Sequence, residues 1–567
     1  MTKKITLDLN GFKITGDVTS TGDLTIKGNT STGDNNNKIV GDVFCTTGDL
    51  TLKEITIVGN VDSWDGVLTV DGTKVIGGVY ISGDSATFSE NTVVNGVVNV
   101  SDANVVINGG TYTGVNNALV TDCDTAVVTV KAGTFTANAP VYSDAGTIKI
   151  EGGSFKALGS FSAGFEETVP FVFDALTSIQ ISGGIFSSKD YYIFDLSAVD
   201  PYITYGSSFI GYVKTGYEIV NNTDTSTKTD YPYMVSKIVR AKIGTTEYAT
   251  LQAALDAASD NDEIVLTGDV TETTVTSSSK VTINLNGYKY TGDITATADM
   301  TVKGASCADP AKNSVVGTIS SAAGTLTLDS VTADYVIANM DIVIKDANVT
   351  DDVTSIQKNV TVNNSKIAGK TQAKDITVSG SSEFLDTVTA SNKVTITDGQ
   401  FRKSVTATNG GSVTGGKFYA SSSSGTKPDT SFLADDCVWL YKIVTPSTDS
   451  YWYPQQINLG MDGSGQYVKE SNASTSLRCY GEYTYFSELS IDGTSLTDGN
   501  QFVSSEGSTV ITFSSAYLNT LSPGTYSIQF KYDYFGTFKY ATGTLIIKPA
   551  GTPLVPYKVP KTGVDNK

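Results

Sequence analysis

A chain of 567 residues with no histidine, 13 prolines and a formal charge of −20 is long enough for several domains with cores of useful size. The acidic balance discourages binding to phosphate backbones or anionic lipid, which argues against nucleic acid as a partner. No apolar run reaches the length of about 18 residues that a membrane helix needs.

The N-terminal phrase at 5–17, ITLDLNGFKITGD, returns at 281–293 as VTINLNGYKYTGD. The register then holds: TGDLTIKG at 21–28 answers to TADMTVKG at 297–304, and GDLTL at 48–52 to GTLTL at 324–328. Two related domains in tandem follow from this. Within each copy a smaller unit recurs, a β-branched residue, a turn with Gly and an aromatic, as in INGGTY at 107–112, VKAGTF at 130–135, IEGGSF at 150–155 and ISGGIF at 181–186. The second copy carries ITDGQF at 396–401 and VTGGKF at 413–418. Neighbouring instances lie about 17 to 31 residues apart, the length of one solenoid coil. Period-2 segments between them put alternate apolar side chains on one face, and Gly-Asp, Gly-Gly and Asn-Gly pairs supply the corners. A coil of this kind cannot bury its inner face alone, so successive coils must stack.

Aromatic strand pairs around polar tips, 209–212 with 231–234 and 438–441 with 451–454, are expected to close the two solenoids as hairpins. Trp439, Trp452 and Tyr451 are read as packing residues, with a carbohydrate platform as the alternative. One segment reads as a helix, 248–258, with Leu251, Ala254, Leu255 and Ala258 on one face and Thr250 as N-cap. It would cover the exposed first coil of the second solenoid. The first copy lacks an equivalent, so the natural protein is expected to extend further toward its N-terminus, where a secretion signal would also fit. The first copy spans 1–237 and the second 238–454, the latter with fewer coils.

After Pro454 the texture changes to short strand patterns with turns every eight to twelve residues, the rhythm of a small sandwich. The run GSTVIT at 507–512, YLNTL at 517–521, Gly524 and the final strand around Leu545 resemble the X2-type immunoglobulin-like module of bacterial extracellular proteins, over about 460–548 of a domain read as 455–548. Such modules space other domains. A Pro-containing linker segment at 549–567 carries Val559, Pro560, Lys561, Thr562 and Gly563, a run similar to the sorting pentapeptide of Gram-positive surface proteins. Val559 stands where the usual motif has Leu. The resemblance implies cleavage by sortase between Thr562 and Gly563 and attachment of Thr562 to peptidoglycan; the hydrophobic span and basic tail that usually follow are expected beyond the given sequence. The repeated phrase, with its capping helix, resembles β-helix surface proteins of gut Firmicutes in the wider pectate-lyase-like class.

That class contains enzymes of acidic polysaccharides, so the residues have to be tested for chemistry. Histidine, the commonest general base, is missing. Arginine is limited to Arg240, Arg402 and Arg478, too few for the cation cluster that a polyuronate lyase needs around its enolate-like intermediate. Arg402-Lys403 after Asp398 is the best remnant of such a site. Carboxylate pairs occur at Asp351-Asp352, Asp435-Asp436 and Asp122/Asp124, of which only Asp122 and Asp124 would share a strand face; turn-forming Asp on an acidic surface is the plainer reading. Calcium could sit where Gly-Asp turns stack, at Asp17, Asp23, Asp42 and Asp49, though their spacing follows no EF-hand or nonapeptide calcium pattern. Cys45, Cys123, Cys307, Cys437 and Cys479 are odd in number and scattered, which disfavours a disulfide framework or zinc and favours buried thiols.

The expected fold is all-β: two tandem right-handed parallel β-helices followed by an immunoglobulin-like β-sandwich. The expected function is that of a non-enzymatic, extracellular, cell-wall-anchored adhesin, with no catalytic, cofactor or metal residues. Its partners would be a host or bacterial surface glycan or protein, together with sortase and peptidoglycan. The alternatives are a polysaccharide lyase or glycoside hydrolase of the β-helix class, or a passive surface spacer.

Overall fold

The computed structural model describes residues 3–29, 36–160, 167–194, 203–305, 312–420, 427–445, 449–462 and 465–553. The chain is all-β, built on a long parallel β-solenoid architecture, and forms two compact units, Met1–Ile238 and Val239–Lys567.

In the first unit each coil contributes three short strands, which stack into three parallel sheets. The first sheet has 9 strands, from Ile5–Asp8 to Ser178–Ile181. Register is kept rung by rung, so that Leu24, Leu50 and Leu68 form one inward column and Ile26, Leu52 and Val70 another. All six are buried. The recurring aromatic of the turn motif fills the second sheet's inner column. Tyr112, Phe135, Phe155 and Phe186 stack nearly parallel at centroid separations of 4.7, 5.0 and 5.3 Å, and their burial explains why one large ring recurs per coil. Phe209 closes the column edge-on at 4.9 Å from Phe186.

Phe209 does not come from a hairpin strand. Phe209–Tyr212 is a 3-10 turn, and the antiparallel closing pair is Tyr217–Asn221 with Tyr233–Lys237. Driving Phe209 into the end of the column requires a tight turn, since an extended strand would carry its side chains to alternate faces.

The second unit opens with a small antiparallel pair, Ala241–Ile243 and Thr246–Tyr248, and then the helix α1, Leu251–Ala257. The Thr250 side chain accepts from Ala253 N, as an N-cap should. The Glu272 carboxylate accepts from the next two free donors, Leu251 N at 2.7 Å and Gln252 N at 3.1 Å. Leu251, Ala254 and Leu255 are buried in the same core as Ile264, Val275 and Ile283, so α1 covers the first coil. Nine parallel rungs follow, from Glu263–Leu266 to Gly411–Val413. The first unit's corresponding sheet also has 9, so the second solenoid does not have fewer coils; it uses shorter ones. Its early coils run through two faces in one long strand, as in Val270–Ser277 and Lys289–Ala296. Phe384, Phe401 and Phe418 repeat the stacked inner column at 5.1 and 4.7 Å. Trp439 caps it edge-on at 5.0 Å, from the hairpin Cys437–Lys442 with Tyr451–Gln456.

Beyond Gln456 a five-stranded and a three-stranded sheet share one core that includes Leu477, Ile511, Phe530 and Leu545. Residues 517–521, expected within a strand-and-turn rhythm, lie instead at a second short helix, α2, Ser515–Thr520. Ser514 caps it through Tyr517 N, and it buries Leu518.

Candidate binding faces

Because inward and outward positions alternate, register that stacks the core also stacks the surface. Thr6, Thr25, Thr51, Thr69 and Thr87 form one outward column on the first sheet of the first solenoid. The second solenoid repeats the device with Thr282, Thr301 and Thr327, then, after Val343, with Thr361, Thr377 and Thr395. At about 4.8 Å per rung such a column offers one hydroxyl per coil in a straight line. Charged residues of both signs lie beside it and pair between rungs. Lys27 meets Asp8 at 3.0 Å and Lys53 meets Asp71 at 3.7 Å in the first solenoid, and Lys303 meets Glu263 at 3.0 Å in the second. Such half-exposed pairs set register more than they add stability.

Several of the carboxylates that could serve catalysis or calcium are used by the coil corners. Asp17 accepts from Asp42 N at 2.8 Å, Asp42 from Asn60 N at 2.7 Å, and Asn60 Oδ1 from Gly78 N at 2.9 Å. Asp23 and Asp49 form a parallel series, accepting from Asp49 N and Val67 N. Each corner side chain thus satisfies a backbone donor of the next coil. Asp352 does the same for Lys370 N at 2.6 Å, whereas Asp351 accepts locally from the adjacent Asp352 N at 2.9 Å. Asp436 accepts from Gln456 Nε2 at 2.6 Å, and the Asp435 carbonyl accepts from Lys539 Nζ at 2.8 Å. Asp122 and Asp124 do not share a strand face, because the strand ends at Thr121 and both lie exposed in the following turn. Among the described residues no group of three or more acidic or cysteine side chains is placed to hold a metal ion.

Arg402 and Lys403 border a concavity of about 610 Å³ at the end of the second solenoid, with Tyr419, Lys427 and Asp429. The Arg402 guanidinium lies 3.7 Å above the Tyr419 ring and is bracketed by Glu383 at 3.7 Å and Asp449 at 3.3 Å. Two carboxylates already neutralise it, which leaves little attraction for an anionic substrate. Trp439 and Trp452 are fully buried, so neither forms a platform; packing is their role. Cys45, Cys437 and Cys479 are buried free thiols, while Cys123 is partly exposed. Burial pushes the Cys45 thiol above its ordinary range. Cys307 and the pentapeptide at Val559–Gly563 lie outside the described residues.

Two elements were not legible as special in the sequence. Asn37 and Asn313, buried, occupy equivalent places in the two copies. Asn313 Oδ1 accepts from Gly287 N at 2.6 Å and Ala305 N at 3.1 Å, and its Nδ2 donates to Ala305 O at 2.9 Å. The pairing of the repeats would have found them, since both stand at the same offset from the repeated Asn-Gly. The other is an exposed aromatic group on the third sheet of the first solenoid, around Trp64.

No family model, no curated protein and no solved structure matches the chain.

Proposed function

We propose that this is a non-enzymatic bacterial surface protein, an adhesin that presents the sides of its β-solenoids to glycans or proteins. The observation that carries the reading is the in-register outward threonine column, repeated in both solenoids. A column of identical groups makes many weak contacts at once, and linked weak contacts add to useful strength. The lack of histidine and the structural use of the corner carboxylates support binding over catalysis. Extracellular display, with an immunoglobulin-like spacer and sortase attachment through Thr562 to peptidoglycan, completes the proposal and rests on the sequence resemblances.

The test is an array of host and bacterial glycans and surface proteins probed with the full chain. Saturable binding to a restricted set supports the reading. A passive spacer would bind nothing saturably.

A further inference from the structure

In the outward column of the third sheet of the first solenoid a carboxylate stands between two aromatic rungs. Phe44, Asp62 and Tyr80 sit on three successive rungs in register, and Trp64, one residue beyond the strand Val61–Ser63, is exposed and donates its backbone N–H to Cys45 O of the rung below at 3.0 Å. At about 5 Å per rung, Phe44 and Tyr80 stand about 10 Å apart with the carboxylate between them.

Three features separate this group from a chance surface cluster. Trp64 is 58% exposed, whereas Trp439 and Trp452, the other two tryptophans, are at 0% and 1%. A large aromatic is costly to leave in water on a face that the fold could have filled with threonine. The Tyr80 ring is laid flat against the face: it covers Gly78, where a Cβ would come within 2.8 Å of Tyr80 Cε2. Finally, Asp62 is half-buried and, unlike the corner aspartates, has no hydrogen-bond or ion-pair partner among the described residues. Burial, and then the charge of Asp42, hold its carboxyl above the usual range. On the next rung, beside Tyr80, the buried Asn99 Oδ1 also lacks a partner.

We propose that Phe44, Asp62, Trp64 and Tyr80 form a binding site for neutral pyranose sugars, an inference that rests on the binding-face reading above. The rings stack on the C–H faces of consecutive sugar units, and the Asp62 carboxylate accepts hydrogen bonds from hydroxyls. The Asp42 and Asp62 charges, in a chain of net charge −20, select against uronic or sialic acids.

The experiment uses the full chain and soluble neutral oligosaccharides, cello-, xylo-, manno- and galacto-series, read by calorimetry and by acrylamide quenching of tryptophan fluorescence. Trp64 dominates the quenching because the other two tryptophans are buried. Saturable binding of one series that protects Trp64 from quenching is expected. Affinity should fall by about tenfold or more in Trp64→Ala, and fall in Asp62→Asn, with the thermal midpoint unchanged in both. Binding that survives Trp64→Ala with equal affinity overturns the site. Binding confined to proteins or acidic glycans also overturns it while leaving the adhesin reading intact. Saturable binding to neither sugars nor proteins removes both.

Discussion

Asn313 reaches across a coil to accept the Gly287 backbone N–H at 2.6 Å, and Asn37 does the same for Gly11 at 2.7 Å. In each copy the repeated Asn-Gly corner is therefore held by a buried amide some 26 residues downstream. Asn313→Ala leaves two N–H donors and a carbonyl at a buried corner without their partner. A loss of about 2–3 kcal/mol is expected, read as a lower urea midpoint. A change below about 0.5 kcal/mol would mean that water replaces the amide freely.

The aromatic column of the second solenoid gives a second prediction. Phe401 is stacked between Phe384 and Phe418 and buried. Phe401→Ala should cost about 3–5 kcal/mol, and Phe401→Leu distinctly less, because Leu fills most of the volume. Equal losses in thermal or chemical unfolding would mean that the stacked ring itself, and not the volume it fills, carries the stability.

Stacked glycine corners are a third. A Cβ at Gly77 would run into the Gly59 carbonyl oxygen of the coil below, whereas one at Gly268 meets nothing within 4 Å. Gly77→Ala should therefore destabilise by about 2–3 kcal/mol, and Gly268→Ala should stay within about 0.5 kcal/mol of the parent. Differential scanning calorimetry on the two variants checks the contrast.

These corners show which parts of the structure could be read from the sequence. The β-branched, Gly and aromatic spacing of 130–135 and 150–155 fixes one ring per coil, and stacking Phe135 on Phe155 follows once coils must cover each other. Thr250 as the cap of α1 was legible because N-capping is local chemistry. Asn313 was not, because a buried amide and a loop amide look alike until their partners are known. The 3-10 turn at Phe209 was hidden for a related reason: its aromatic residues fit a strand equally well, and only the end of the ring column decides. Residue number is a poor guide to coil number here, since both solenoids have 9 parallel rungs in the corresponding sheet while the second uses shorter coils. At the surface, the exposure of Trp64 depends on strand phase, which a lone tryptophan does not reveal.

A fourth prediction concerns pH. Hydrogen bonding from Asn284 Nδ2 at 2.7 Å, then pairing with Lys303 Nζ at 3.0 Å, holds the Glu263 carboxyl below its ordinary value of 4.5. The folded state therefore binds this proton less readily than the unfolded one. The stabilisation is complete above about pH 4.5 and is lost as pH falls through the lowered value. Side-chain NMR of Glu263 should show the depressed titration, and Glu263→Gln should weaken that acid-range dependence. A titration at or above 4.5 would contradict the pairing.

The most direct measurement of the central claim, a lateral binding surface without chemistry, is mass analysis of a ligand found on the array after prolonged incubation with the full chain. Saturable binding with the ligand recovered at its original mass is expected. Recovery of shortened or unsaturated products, abolished by replacing Arg402 or Asp122, would contradict it and establish an enzyme.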